Sequence, residues 1–208
     1  LFAAHCAACH RYDGHNGLGV KPVEPATSSD LHGFASRRWI RALLANPMDE
    51  HYFGRMRTPE GEPAHTRMSK FLNELMPDGA DAQRAWLADL DAVAVYLEDE
   101  SLHPGRFAAA STSPDDGALH RGRETFTTIC HECHSYGGER IGTTFAPDML
   151  GYGSVSWIEL MIAEPDHETR YRNAGRERAR MPRFKDRITE PDRRLVAEWL
   201  NGSRNIGL

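Results

Sequence analysis

The sequence has no long apolar run. Its longest apolar stretches fall far short of the roughly 18 residues that span a bilayer, so no membrane span is expected within the chain. It has no overall basic excess either. Net charge is −5 at pH 7, with 10 Lys+Arg against 15 Asp+Glu over residues 1–103 and 15 against 15 over residues 104–208. A nucleic-acid binder carries a basic face, so no nucleic-acid partner is expected. No segment alternates apolar and polar residues as a half-buried strand does. No signal peptide is legible, because the chain opens at Leu1-Phe2-Ala3-Ala4-His5-Cys6, almost on top of a motif. There is also no cysteine to spare. All four cysteines of the 208 residues lie in two C-x-x-C-H motifs, which leaves none for a structural disulfide.

What is present is one unit, twice. Cys6-Ala7-Ala8-Cys9-His10-Arg11-Tyr12 matches Cys130-His131-Glu132-Cys133-His134-Ser135-Tyr136. Phe2 and Phe126 each stand four residues before the first cysteine. Asp30-Leu31-His32-Gly33-Phe34-Ala35-Ser36 then matches Asp148-Met149-Leu150-Gly151-Tyr152-Gly153-Ser154, followed at equal offsets by Trp39 and Trp157, then Pro47 and Pro165. Matches in the same order mark an internal duplication. The unit is roughly 100 residues, a common domain size.

The segment Ser101 to Gly117, SLHPGRFAAASTSPDDG, reads as a linker. The expected organisation is a first domain over 1–102, a linker over 103–117 and a second domain over 118–208. Each repeat reads as helices and loops, so the expected fold is all-α. Arg123, Phe126 and Ile129 have helical spacing before the second motif. Only Leu1 precedes Phe2, so the first entering helix reads as cut short and the chain as part of a longer polypeptide. Ser36 and Ser154 are N-caps of a second helix that stops before the proline. The last helices place Leu87, Leu90, Ala94 and Leu97 on one face, and Leu195, Val196, Trp199 and Leu200 on the other copy's. Thr189-Glu190-Pro191-Asp192 is a helix-start signal.

C-x-x-C-H points to covalent haem c. Two thiols three residues apart on a helical turn face the same side, where each takes one porphyrin vinyl group. The next residue, His10 or His134, aims its imidazole at the iron. The alternatives are a thioredoxin-like redox pair, which needs a βαβ context not found here, and half a zinc site. The two pairs lie 121 residues apart, each followed at once by His, and this favours two covalent haems on Cys6, Cys9, Cys130 and Cys133.

A sixth ligand is expected downstream in each repeat. Arg67-Met68-Ser69-Lys70-Phe71 and Arg180-Met181-Pro182-Arg183-Phe184 are both Arg-Met-x-x-Phe. A thioether on iron raises the potential, which suits an electron carrier. Met68 and Met181 are the candidates. Competitors are Met56, His51 and His65 in the first repeat, and Met149 and His167 in the second. Met76 and Met161 read as packing, as do Trp39 and Trp157. Pro147 is expected beside the second imidazole, with Pro22 or Pro25 as its counterpart in the first repeat. Gly14-His15-Asn16-Gly17-Leu18-Gly19 follows no strand, so it is not read as a dinucleotide loop. Arg170, Arg172, Arg176, Arg178, Arg180, Arg183 and Lys185 either steer an acidic partner or pair with haem propionates and local acids such as Glu177 and Asp186.

At Cys6–His10, Cys130–His134, Met68 and Met181 the chain resembles a tandem class I cytochrome c. The resemblance implies two small all-helical domains, each wrapped around one haem with His/Met iron. A narrower resemblance rests on Tyr12–Gly17, Asp30–Ile40 and His51-Tyr52-Phe53-Gly54. These are similar to di-haem c domains of bacterial bc-type quinol oxidoreductases, sometimes fused to cytochrome b. Ser69 departs from that family's pattern, where Pro often follows such a Met.

That resemblance implies an electron-transfer module with no substrate chemistry of its own. Its expected partners are a cytochrome b and iron–sulfur subunit and a downstream acceptor, a soluble cytochrome or terminal oxidase. Its expected place is the periplasm or outer face of the cytoplasmic membrane, anchored through a missing upstream part. Two other readings are a free di-haem shuttle and a di-haem peroxidase or sulfur-compound oxidase. The last requires an open iron position, which two Met ligands would close.

Overall fold

The computed structural model describes residues 1–57, 66–106, 117–139, 146–171 and 181–202. Among them are seven α-helices and no strand, only isolated bridges. The first repeat holds α1 (Phe2–His5), α2 (Arg37–Ala45), α3 (Arg67–Leu75) and α4 (Ala80–Leu102). The second holds α5 (Gly117–Thr128), a 3-10 turn at Cys130–Glu132, α6 (Val155–Ala163) and α7 (Glu190–Gly202). Among the described residues no helix is long and apolar enough to cross a membrane.

The duplication read from the sequence is a duplication of local structure. Ser36 Oγ accepts the Trp39 N–H at 3.1 Å, and Ser154 Oγ accepts the Trp157 N–H at 3.2 Å. Each cap satisfies an otherwise orphaned helix N–H and contributes about 1 kcal/mol. Both helices end before the expected proline, whose ring cannot follow a continuing helix. The indole N–H of Trp39 donates to the Asp30 carbonyl at 3.0 Å, and that of Trp157 to the Asp148 carbonyl at 3.0 Å. Both tryptophans are core residues.

One expectation needs correction. Leu87, Leu195 and Trp199 are exposed. The buried face is Leu90, Val93, Ala94 and Leu97 in α4, and Arg193, Val196, Ala197 and Leu200 in α7. These are the same positions in both copies, spaced i, i+3, i+4 and i+7, which is the helical stripe. Ser101 and Leu102 finish α4, and Ser101 is buried with its hydroxyl donating to the Glu98 carbonyl. Residues 107–116 of the expected linker lie outside the described residues, as do 203–208.

The terminal helices pair across the repeats. Helix α4 packs on α2 of its own repeat and on α5 of the other. At the second contact a Cβ on Gly122 would stand 2.0 Å from the Ala92 carbonyl oxygen, so only glycine permits this approach. Tyr96 of α4 lies 5.5 Å from Phe126, centroid to centroid. Reciprocally, α7 packs on α6 and sets Trp199 5.2 Å from Phe2. Tyr96 and Trp199 are the same position in the repeat, as are Phe126 and Phe2. A local two-fold relates the copies, and Phe34 meets its own equivalent, Tyr152, across it at 5.6 Å.

Candidate functional site

Each C-x-x-C-H motif is a single turn. In the first, the Cys9 and His10 N–H groups donate to the Cys6 carbonyl; in the second, those of Cys133 and His134 donate to the Cys130 carbonyl. This turn sets the two cysteines of each pair one turn apart, at i and i+3, with the histidine immediately after. Cys6, Cys130 and Cys133 are half-buried, and Cys9 is exposed. Burial pushes the Cys6 thiol up to about 11 and the Cys130 thiol up to about 12. A redox C-x-x-C requires the opposite, a thiol lowered toward neutrality. Among the described residues no three His, Cys, Asp or Glu side chains converge as a metal cluster.

Both imidazoles are fixed through the same nitrogen. His10 Nδ1 lies 2.9 Å from the Ser29 carbonyl oxygen, and His134 Nδ1 lies 2.9 Å from the Pro147 carbonyl oxygen. A carbonyl accepts only, so Nδ1 carries the proton and Nε2 keeps its lone pair for a metal. Burial lowers the pKa of both rings, which leaves them neutral. Pro147 stands where the sequence suggested. Its counterpart is Ser29, not Pro22 or Pro25: Ser29 stands immediately before Asp30 as Pro147 stands immediately before Asp148, so the same repeat position supplies the carbonyl although the residue type differs.

The loops behind these histidines are pinned by one carboxylate in each repeat. Asp30 accepts the N–H groups of Asp13, Gly14 and His32. Asp148 accepts those of Gly137, Gly138 and Leu150, together with the Ser135 hydroxyl. The post-motif residues Asp13 and Gly137 both take positive φ, 54° and 61°, which the repeated turn demands.

Met68 and Met181 are half-buried and pack against the core. Their settings differ. Met68 sits in the first turn of α3, capped by Thr66, whose Oγ1 accepts the Ser69 N–H at 3.0 Å. Met181 sits in an irregular segment before α7. That segment is tied to α6 through the Phe184 N–H to the Ile162 carbonyl, and through Arg183–Asp166 and Lys185–Glu164 ion pairs. Glu177 lies outside the described residues. Arg172, Arg176, Arg178 and Arg180 lie outside the described residues. Among the competitors, His51 is exposed and bonded to Asp49, Met149 is buried in the core, and His167 is bonded to Thr169. Met56 is half-buried, and His65 lies outside the described residues.

Arg170 was not separated from its basic neighbours by sequence. It is 7% exposed, with its guanidinium carbon 4.4 Å from the centroid of the Trp157 ring. Tyr52 holds this position in the first repeat and meets Trp39 edge-on at 5.1 Å. Burial lowers the Arg170 pKa to about 10, and its Nε finds no acceptor among the described residues. Asp148 is the nearby acid that favours its charge. A buried donor left unmet is costly, and this one stands beside the loop that holds His134. It fits a prosthetic group that carries carboxylates.

A cytochrome c family model matches residues 1–99, and the model described as cytochrome C oxidase, cbb3-type, subunit III, matches residues 117–200. The chain is a tandem c-type cytochrome. Such domains carry covalent haem c and transfer electrons, and this cytochrome has two of them. The neutral imidazoles with free Nε2, the paired thiols and the unmet Arg170 donor fit that group in residue type and protonation. No curated protein and no solved structure matches the chain significantly.

Proposed function

We propose that the chain is a di-haem electron carrier with its two haems on Cys6/Cys9 and Cys130/Cys133. His10 and Met68 would be the axial ligands of the first iron, and His134 and Met181 those of the second. The observation that carries this reading is the matched pair of imidazole–carbonyl bonds, His10 to Ser29 and His134 to Pro147. Two histidines are fixed in one tautomer by the same repeat position, although its residue is Ser29 in one copy and Pro147 in the other, and this points to a common task at Nε2.

Haem c, when bound, supplies a one-electron couple. The chain's own residues do the rest. The carbonyls of Ser29 and Pro147 hold the imidazole tautomer. Apolar packing around Trp39, Tyr52, Trp157 and Ile158 keeps water away, and the thioethers of Met68 and Met181 favour the reduced state. Asp30 and Asp148 hold the loops that position both histidines.

A place in a larger system is supported by the segments Tyr12–Gly17, Asp30–Ile40 and His51–Gly54, which resemble di-haem domains of bc-type quinol oxidoreductases. On this reading it receives electrons beside a cytochrome b and iron–sulfur subunit. It works at the outer face of the cytoplasmic membrane and reduces a soluble cytochrome or terminal oxidase. The test is purification of the tagged native protein from solubilised membranes. Co-isolation of a b-type cytochrome, with both c haems reduced by added quinol, is expected. Recovery of the intact native protein entirely in the soluble fraction, with no reduction by quinol, contradicts the membrane role and leaves a free shuttle.

A further inference from the structure

We infer that each haem site of this cytochrome is completed by the opposite repeat: Trp199 of the second repeat positions the first motif, and Tyr96 and Glu100 of the first repeat position the second. This rests on the two-haem reading above.

The residues involved sit at the motifs themselves. Tyr12 follows His10 by two positions, and Tyr136 follows His134 by two. Trp199 stacks on Tyr12 with ring centroids 4.2 Å apart and planes at 28°, and it also meets Phe2, four residues before Cys6. In the other direction, the Tyr136 hydroxyl donates to Glu100 Oε2 at 2.8 Å, and Tyr96 packs near Tyr136 and Phe126. Glu100 is fully buried. Its second oxygen accepts the Gly105 N–H at 2.6 Å and the Gly151 N–H at 2.8 Å. A buried carboxylate with three donors, two of them from the second repeat, is a fixed cross-link rather than a chance contact.

A small haem domain that closed on itself would bury its entering helix under its own last helix. Here the two exchanges are reciprocal and use equivalent positions, Tyr96 with Trp199 and Phe126 with Phe2. Damage to a last helix should therefore appear in the other repeat's motif.

The experiment is hydrogen exchange by peptide on the full haem-loaded chain, with haem absorbance confirming both cofactors before exchange. In Trp199→Ala, protection in residues 1–12 should fall roughly tenfold or more, while residues 117–139 hold theirs. In Tyr96→Ala and in the milder Glu100→Gln, protection should fall in 117–139 and hold in 1–12. Trp199→Phe, which keeps an aromatic face, should restore most of the first motif's protection. The opposite pattern, Trp199→Ala loosening 117–139 and Tyr96→Ala loosening 1–12, would overturn the inference and show self-closed repeats. Equal loosening of both segments in every variant would also overturn it, because no site would then have a preferred partner. A starting protein with fewer than two haems would instead count against the cofactor reading, and the exchange pattern would still decide the pairing.

Discussion

Ala35 and Gly153 occupy the same position in the two repeats and face each other across the local two-fold so closely that a Cβ on Gly153 would stand 2.2 Å from that of Ala35. Ala35 is fully buried there at φ 62°, and Gly153 has φ 73°. The repeats can meet only because one of them lacks a side chain at this point.

Gly153→Ala should therefore destabilise the chain by about 2–4 kcal/mol, combining a left-handed backbone penalty with overpacking. Denaturant unfolding followed by haem absorbance measures this. A change below about 0.5 kcal/mol, within the range of an ordinary surface substitution, would mean that the two residues do not face each other.

Gly122→Ala strikes the helix seam rather than the two-fold. Its new methyl would meet a backbone carbonyl, Ala92, which no rotamer change can move aside. A loss of about 3 kcal/mol or more is expected in the same assay. Gly14→Ala is the companion variant. Nothing lies within 4 Å of its added Cβ, so only the cost of positive φ, about 1–2 kcal/mol, should appear.

Arg37 ties α2 to α4 through a two-pronged bond to Asp91, with Nε to Oδ1 at 3.0 Å and Nη2 to Oδ2 at 2.5 Å. The Arg37 bond holds the Asp91 carboxyl below the usual carboxylate range. A lowered folded pKa means the contribution is complete above the unfolded value of about 3.9 and is lost as pH falls through the folded value. Asp91→Asn should cost roughly 0.5–1 kcal/mol at pH 7 and low salt. The difference between wild type and variant should shrink as pH falls below the unfolded value of about 3.9 toward the lowered folded value, and at high salt. Paired unfolding curves from pH 7 to pH 2.5 check this, and a constant difference across that range would contradict the assignment.

Much of this was legible in the sequence, for physical reasons that also explain what was not. The caps at Ser36 and Ser154 act on N–H groups three residues away, so local pattern suffices to find them. The single turn of each C-x-x-C-H motif is local in the same way. The Ser29 carbonyl was legible through the repeat register, since Asp30 matches Asp148 and Ser29 therefore matches Pro147, but a proline-for-proline comparison points to Pro22 or Pro25 instead. The apolar stripes of α4 and α7 were visible, although Leu87 and Leu195 were wrongly placed on them. What covers those stripes was hidden by the duplication itself. Phe2 and Phe126 are equivalent, so each last helix has two partners of equal chemistry, and periodicity cannot choose between them. Arg170 was obscured by other basic residues. Its distinction is burial against Trp157, which depends on contacts far apart in the chain.

The central claim is that two haems share one ligand set, histidine and methionine. The most direct measurement is a reduced pyridine haemochrome spectrum of the full chain, recorded with the near-infrared thioether-to-iron band of the oxidised protein. The account predicts two c-type haems per chain with both irons showing the band, and Met68→Leu and Met181→Leu each removing about half of it. A single haem, or a band unchanged when Met68 or Met181 is replaced, would contradict it.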